Sequence, residues 1–160
     1  MHAAPPTAPR HAGVVAPPPL IFGGALLAGL GVDWAAGWST GFAAGARWGV
    51  AMPLLAGALV LLAGALAGFR RAGTHPAPWR PSTAVVTGGV YRVTRNPMYL
   101  GMAALHAGLA LLLDAPAALL LLVPAVLAIH FGVILREERY LEATFGEPYR
   151  AYRARVRRWL

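Results

Sequence analysis

The stretch "WGVAMPLLAGALVLLAGALAGFRR", residues 48–71, decides the class of this protein. From Trp48 to Phe69 it holds about 20 residues, nearly all apolar, which is the length that crosses a roughly 30 Å hydrocarbon core as a single helix. One early proline, Pro53, interrupts it, and it stops at Arg70-Arg71, a pair that a bilayer interior rejects and its surface accepts. The whole chain agrees: 58% of its residues are hydrophobic, against roughly 45–50% in an ordinary soluble domain, and its mean hydropathy is +0.56.

Three further apolar segments flank this one. Residues 1–19, "MHAAPPTAPRHAGVVAPPP", form a proline- and alanine-rich tail expected to be disordered. A first membrane helix is expected over about 20–32. Arg10 and His11 ahead of it resemble the flank of a secretory signal, but three more apolar segments follow and favour a retained helix. Residues 31–49, with Asp33, Trp34, Trp38 and Trp48, have the aromatic character of a membrane interface. The prolines at 76, 78 and 81 and the pair Gly88-Gly89 make 70–96 a loop. Residues 98–113 and 116–135 then form two apolar helices separated by Asp114 and Ala115, a tight helical hairpin. The charged and aromatic segment 136–160 has the pattern of an amphipathic helix with an arginine-rich end.

All 14 basic residues are arginine, and the net charge is +8. They cluster beside apolar segments rather than on one face of a soluble domain, which points to lipid headgroups and away from nucleic acid. Five lie in the 70–95 loop and seven from Arg136 onward, whereas the 32–47 connection holds only Arg47 and the hairpin turn none. The positive-inside rule therefore places both rich segments, and with them both termini, in the cytoplasm. The expected architecture is all-α, a single integral membrane domain over 20–160 with about four transmembrane helices and a C-terminal amphipathic helix on the cytoplasmic side. With no cysteine, disulfides, thiolate metal sites and thiol nucleophiles are excluded.

Polar chemistry gathers at that face: "YRVTRNPMYLG" at the start of the third helix, "REER" at the end of the fourth, and "FGEPYRAYRARVRRW" after it. The hairpin levels Tyr99 with His130 and Arg92 with Glu137. Helical spacing puts His130, Ile134 and Glu137 on one stripe and Tyr99, Met102 and His106 on another, so the two would line a pocket polar at its mouth and apolar below. Each element also has a plain structural reading. Glu137 and Glu138 among Arg136 and Arg139 suit interfacial ion pairs. His106 suits a polar group satisfied by a neighbouring helix, Pro97 a first-turn proline, and Tyr149, Tyr152 and Trp159 interface anchors. His106 and His130 are offset by about 10 Å at 1.5 Å per residue, too far to share a metal ion.

The ordered set "TGGVYRVTRNPMYLG", helical hairpin, "EERYLEATFGEPYRAYRARVRRW" resembles the membrane methyltransferases typified by isoprenylcysteine carboxyl methyltransferase and the phospholipid N-methyltransferases. The resemblance covers residues 74–159. It implies S-adenosylmethionine as cofactor, bound at the cytoplasmic end of the bundle by an arginine-histidine-proline-x-tyrosine-x-glycine motif and a glutamate pair. Arg95, Pro97, Tyr99, Gly101, Glu137 and Glu138 match that pattern, and Tyr91, Asn96 and Leu100 complete the expected cofactor set. Asn96 stands where histidine is commoner, and an amide cannot act as acid or base near neutral pH. Arg157 stands where many relatives have proline. Arg95, Asn96 and His130 are the expected catalytic residues. Met102, His106, Ile134, Tyr149, Tyr152 and Arg158 are expected to contact the acceptor.

The reaction implied is methyl transfer to a lipophilic or lipidated acceptor, with an isoprenylcysteine-type carboxylate first and a phospholipid amine second. A non-catalytic scaffold that holds anionic lipid with its terminal arginines is the alternative from another class. A membrane reductase is a third, but the chain lacks a glycine-rich dinucleotide fingerprint.

Overall fold

The computed structural model describes residues 11–160 and contains helices and connecting segments only. Helix α1 spans Pro18–Ala36, α2 Ala44–Arg71, α3 Pro97–Leu112, α4 Pro116–Ile129, α5 Leu135–Phe145 and α6 Glu147–Arg155. A short 3₁₀ turn, Gly89–Arg92, precedes α3. Helices α4 and α5 form one continuous rod, Pro116–Phe145, through a π-helical segment at His130–Ile134. Three helices among the described residues are long and apolar enough to cross a membrane: α1, α2 and the α4–α5 rod; α3 is apolar but shorter. Large apolar side chains such as Leu27, Leu59 and Leu120 point outward and are about two-thirds exposed, at 70%, 70% and 67%. Lipid is the environment that such a surface requires.

Several boundaries differ from the expected ones. Helix α1 begins at Pro18 rather than residue 20, because prolines in a first turn lack only N–H groups that have no intrahelical partner. It continues past Val32 to Ala36, where Gly37 ends it at φ 63. The fourth helix does not stop at 135. The C-terminal segment is two helices rather than one, broken at Gly146, whose φ of 58 turns the chain. Of the tail expected to be disordered, residues 1–10 lie outside the described part. Residues 11–17 form a strap across the π segment: Val15 N–H donates to Gly132 O at 3.2 Å, and Arg136 Nη1 to Gly13 O at 2.8 Å.

Sequence neighbours are not all packing neighbours. Helix α2 packs along α3, whereas α1 packs on α4 and α3. The α2–α3 seam is made of small residues: Ala51, Ala58 and Ala65 on α2 are fully buried, at seven-residue intervals, and Gly101 and Gly108 on α3 face α2 at the same interval. A Cβ at Gly108 would lie 2.8 Å from Leu55 Cδ2, and one at Gly29 of α1 only 2.3 Å from Ala118 Cα of α4. Where lipid is as apolar as leucine, such close backbone approach supplies the packing that holds helices together.

Polar caps secure the end of the bundle opposite the 70–96 loop. Asp33, near the end of α1, is buried and accepts the Ala117 and Ala118 N–H groups at 2.8 and 3.1 Å, so α1 caps the N-terminus of α4. In the hairpin turn, Asp114 has φ 58 and accepts from the backbone N–H of Thr40 at 2.9 Å and from its hydroxyl. These bonds, with Arg47 3.6 Å away, hold the Asp114 carboxyl below the usual carboxylate range. Arg47 also donates to the carbonyls of Leu111 and Leu112 at the end of α3.

Candidate functional site

At the other end, the chain between the 3₁₀ turn and α3 pairs with the C-terminus. Arg95 N–H donates to Arg157 O at 2.9 Å, and Asn96 Nδ2 and Thr94 Oγ1 donate to Arg158 O at 2.9 and 3.0 Å. Thr94 is fully buried and its hydroxyl also accepts the Asn96 N–H at 3.2 Å. Pro97 then starts α3 as a first-turn proline. Asn96 therefore works as a backbone anchor, a task its amide performs without any change of protonation.

This pairing presents Arg95 and Tyr99 to a cleft roofed by the loop 75–86. Its empty space, counted with the open mouth, is about 840 Å³. Phe69, Val85, Val86, Met98 and Leu141 form its apolar wall, and Tyr91, Tyr149 and Tyr152 its aromatic one. Tyr152 donates its hydroxyl to Tyr91 O at 2.8 Å, tying α6 to the 3₁₀ turn. Tyr140 accepts the Ser82 N–H at 2.9 Å and pins the roof. Burial pushes the Tyr149 phenol up to about 12, with Glu138 adding to the shift and Arg95 opposing it. Burial raises Tyr91 and Tyr152 further, so all three remain neutral donors at physiological pH.

The two glutamates have different surroundings. Glu138 is buried and takes a two-pronged ion pair from Arg158, with Nε 2.9 Å from Oε1 and Nη2 2.8 Å from Oε2. Arg95 Nη1 lies 3.1 Å from Glu138 Oε1, and among the described residues the buried Arg95 Nε and Nη1 form no aligned hydrogen bond. Among the described residues Glu137 receives only the Tyr99 hydroxyl, 2.8 and 2.9 Å from its two oxygens. Among the described residues no cation lies within ion-pair distance of it.

Of the residues singled out in the sequence, Tyr91, Arg95, Asn96, Tyr99, Glu137, Glu138, Tyr149 and Tyr152 line this cleft. Arg158 stands behind it as the partner of Glu138. The others are elsewhere. Ile134 is fully buried in the core with Ile129 and Val133, and Met102 packs against the same cluster. His130 stacks on Trp159, its Nδ1 3.4 Å from the indole Nε1. The π segment is the reason: its extra residue shifts the helix by about one position, so the expected stripe of His130, Ile134 and Glu137 does not form. His106 is buried far from the cleft and donates through Nε2 to Ala118 O at 2.8 Å. Gly101 faces Leu61 and Leu62 of α2, so its missing side chain serves helix packing rather than close approach of a cofactor. Leu100 is half-buried on α3 outside the cleft wall.

Thr94, Phe69, Tyr140 and the roof were not singled out. Thr94 had a signal in its place one residue before Arg95. The roof's prolines marked a loop but not its position over the site.

Arg95 also supplies a physical test of the expected cofactor. Its unpartnered buried N–H groups suit an anionic carboxylate, the glutamates suit an ammonium or hydroxyl groups, and the aromatic wall suits an adenine ring or a sulfonium. The residues present thus fit S-adenosylmethionine.

Comparison with known proteins yields a short local match and a long family match. An uncharacterized protein of Haemophilus influenzae is 54% identical over 35 residues, which cover 22% of this chain and 56% of that protein. The chain thus spans little more than half the length of the curated relative it matches. No solved structure matches. Residues 46–148, from the start of α2 through the hairpin and both glutamates to the start of α6, match the phospholipid methyltransferase family, and the chain belongs to that family.

Proposed function

We propose that the protein transfers a methyl group from S-adenosylmethionine to the head of a lipophilic acceptor at the membrane surface. One observation carries this reading: Arg95, two of whose buried N–H groups form no aligned hydrogen bond among the described residues, lines an apolar-walled cleft together with Glu137 and Glu138. Leaving such donors unmet costs roughly 1–3 kcal/mol, and an anionic group of the ligand recovers it. The cofactor supplies an activated methyl group, so the chain's own residues need only bind, orient and exclude water. Arg95 would hold the carboxylate, Glu138 the amino group, and the roof would keep water out. The orientation follows from the arginine distribution: the cleft faces the cytoplasm of a bacterial cell, with both termini on that side.

Both acceptor classes expected from the sequence, an isoprenylcysteine-type carboxylate and a phospholipid amine, carry chains that suit the apolar wall. The description of the matching family favours the phospholipid. Calorimetry with S-adenosylmethionine on the purified protein in lipid nanodiscs tests the proposal. Saturable binding that Arg95→Ala abolishes, with the helical signal retained, supports it. No binding by an intact wild-type protein rejects it in favour of the anionic-lipid scaffold.

A further inference from the structure

We infer that residues 11–16 are a releasable gate in the side wall of the cleft, and that a lipid-borne molecule enters the cleft when this strap lifts. That the molecule is a methyl acceptor rests on the methyl-transfer reading above; the gate itself does not. The strap lies outside residues 46–148, which carry the family match, so its role is read from its own contacts. Three backbone groups hold it. Ala12 N–H donates to Pro78 O of the roof at 3.4 Å, Gly13 O accepts from Arg136 Nη1 at 2.8 Å, and Val15 N–H donates to Gly132 O at 3.2 Å. The strap thus bridges the roof and the α4–α5 rod, and Ala12 borders the cleft itself.

These attachments are slight beside those of the other walls. Exposure alternates along the strap: His11, Gly13 and Val15 are exposed, and Ala12, Val14 and Ala16 half-buried. Val14 packs against the core cluster that holds Tyr99 and Ile134, while two alanines and a glycine have little apolar surface to bury. A segment with few bonds and little buried area opens at low free energy. By contrast, the buried Tyr140 pins the roof through Ser82 N–H at 2.9 Å, and the buried Tyr152 holds Tyr91 O at 2.8 Å. Lifting the strap leaves both in place. Gly13, at φ 60, supplies a bend that a side chain would strain, and the prolines at the start of α1 give the strap a firm base. The gap it covers faces lipid, because the strap runs directly into membrane-spanning α1 and Val15 points outward. A water-soluble cofactor can use the open mouth of the cleft. A molecule whose chains stay in the bilayer needs a side entrance.

A disulfide tests the gate. A Cβ at Gly132 would lie 3.5 Å from Val15 Cβ, inside the roughly 3.5–4.5 Å range of cystine, and the chain has no cysteine of its own. Val15→Cys/Gly132→Cys therefore locks the strap when oxidised and frees it when reduced, with the reduced form as the folding control. The probe is a phospholipid with a diazirine on its acyl chain, photolysed in nanodiscs, and its attachment to Met98 and Leu141 of the cleft wall is read by mass spectrometry. Attachment to Leu59, which points outward from α2, is the internal reference. Oxidation should lower cleft labelling about tenfold or more and reductant restore it, with S-adenosylhomocysteine binding within about threefold in both forms. In the otherwise unaltered chain, Arg136→Ala should speed hydrogen exchange at the Ala12 and Val15 amides about threefold or more through loss of its bond to Gly13 O. Equal cleft labelling in the oxidised and reduced forms overturns the inference. So does failure of the pair to cross-link, exchange at Ala12 and Val15 as slow in Arg136→Ala as in wild type, or loss of S-adenosylhomocysteine binding on oxidation. Failure of wild type to bind S-adenosylhomocysteine rejects the methyl-transfer reading and leaves the labelling result to decide the gate.

Discussion

The Tyr99 hydroxyl reaches both oxygens of Glu137, at 2.8 and 2.9 Å, although the hairpin offsets the two residues by about seven positions, or roughly 10 Å of helix rise. Side chains lean toward the N-terminus of their own helix. In an antiparallel hairpin, Tyr99 near the start of α3 and Glu137 near the end of the α4–α5 rod therefore lean toward each other. Tyr99→Phe removes the hydroxyl that, among the described residues, is the one side-chain donor to Glu137. Thermal unfolding in detergent should show a loss of about 1–3 kcal/mol.

Glu138 is the acid shared by Arg95 and Arg158. Glu138→Ala leaves these two arginines without their shared counter-charge. Removing one partner of a buried ion pair costs about 3–5 kcal/mol; the partial exposure of Arg158, 34%, moves the expected loss to the lower end. Chemical denaturation measures it, and cofactor binding should be lost in the same variant.

Asp33 lies at the opposite end of the bundle, where it caps α4 from α1. Asp33→Ala should destabilise by about 1–2 kcal/mol, the upper range for loss of a helix cap. Because the cleft is not touched, the cofactor dissociation constant measured on the folded fraction should not move.

The glycines separate by what surrounds them. Gly29→Ala drives a methyl group to 2.3 Å from the Ala118 backbone, so α1 and α4 must part, whereas Gly57→Ala points into open space. The first should cost at least 1–3 kcal/mol of overpacking. The second should be neutral or stabilising by up to about 1 kcal/mol through helix propensity. Unfolding curves of the pair make the comparison.

Asp114 gives a pH signature. Its folded value is lowered from the ordinary 3.8 by the hydrogen bonds of Thr40 first, with Arg47 adding to them. Stability from this interaction is fully present above the unfolded value and is lost as pH falls through the folded one. Wild type should thus lose melting temperature in acid below about pH 4, and Asp114→Asn should remove that part of the slope.

The sequence by itself determined the membrane class, the hairpin and the meeting of "RNPMY" with Glu137 and Glu138. Spans are set by length and hydropathy, which are local properties, and a two-residue turn leaves two helices little choice but to lie side by side. Side-chain direction was not available in the same way. One extra residue in the π segment removed His130 and Ile134 from the stripe assigned by a uniform helical period, and no residue type within "HFGVI" announces that change. Close packing against α2 took Gly101 out of the site, and proximity to Ala118 gave His106 a structural partner. Asp33, read only as part of an interfacial segment, became a cap because folding brought it to a helix start 84 residues along the chain. Only the tertiary structure decided that, among the described residues, Glu138 has its arginines and Glu137 none, since charge compensation depends on distances across helices rather than on neighbours in sequence.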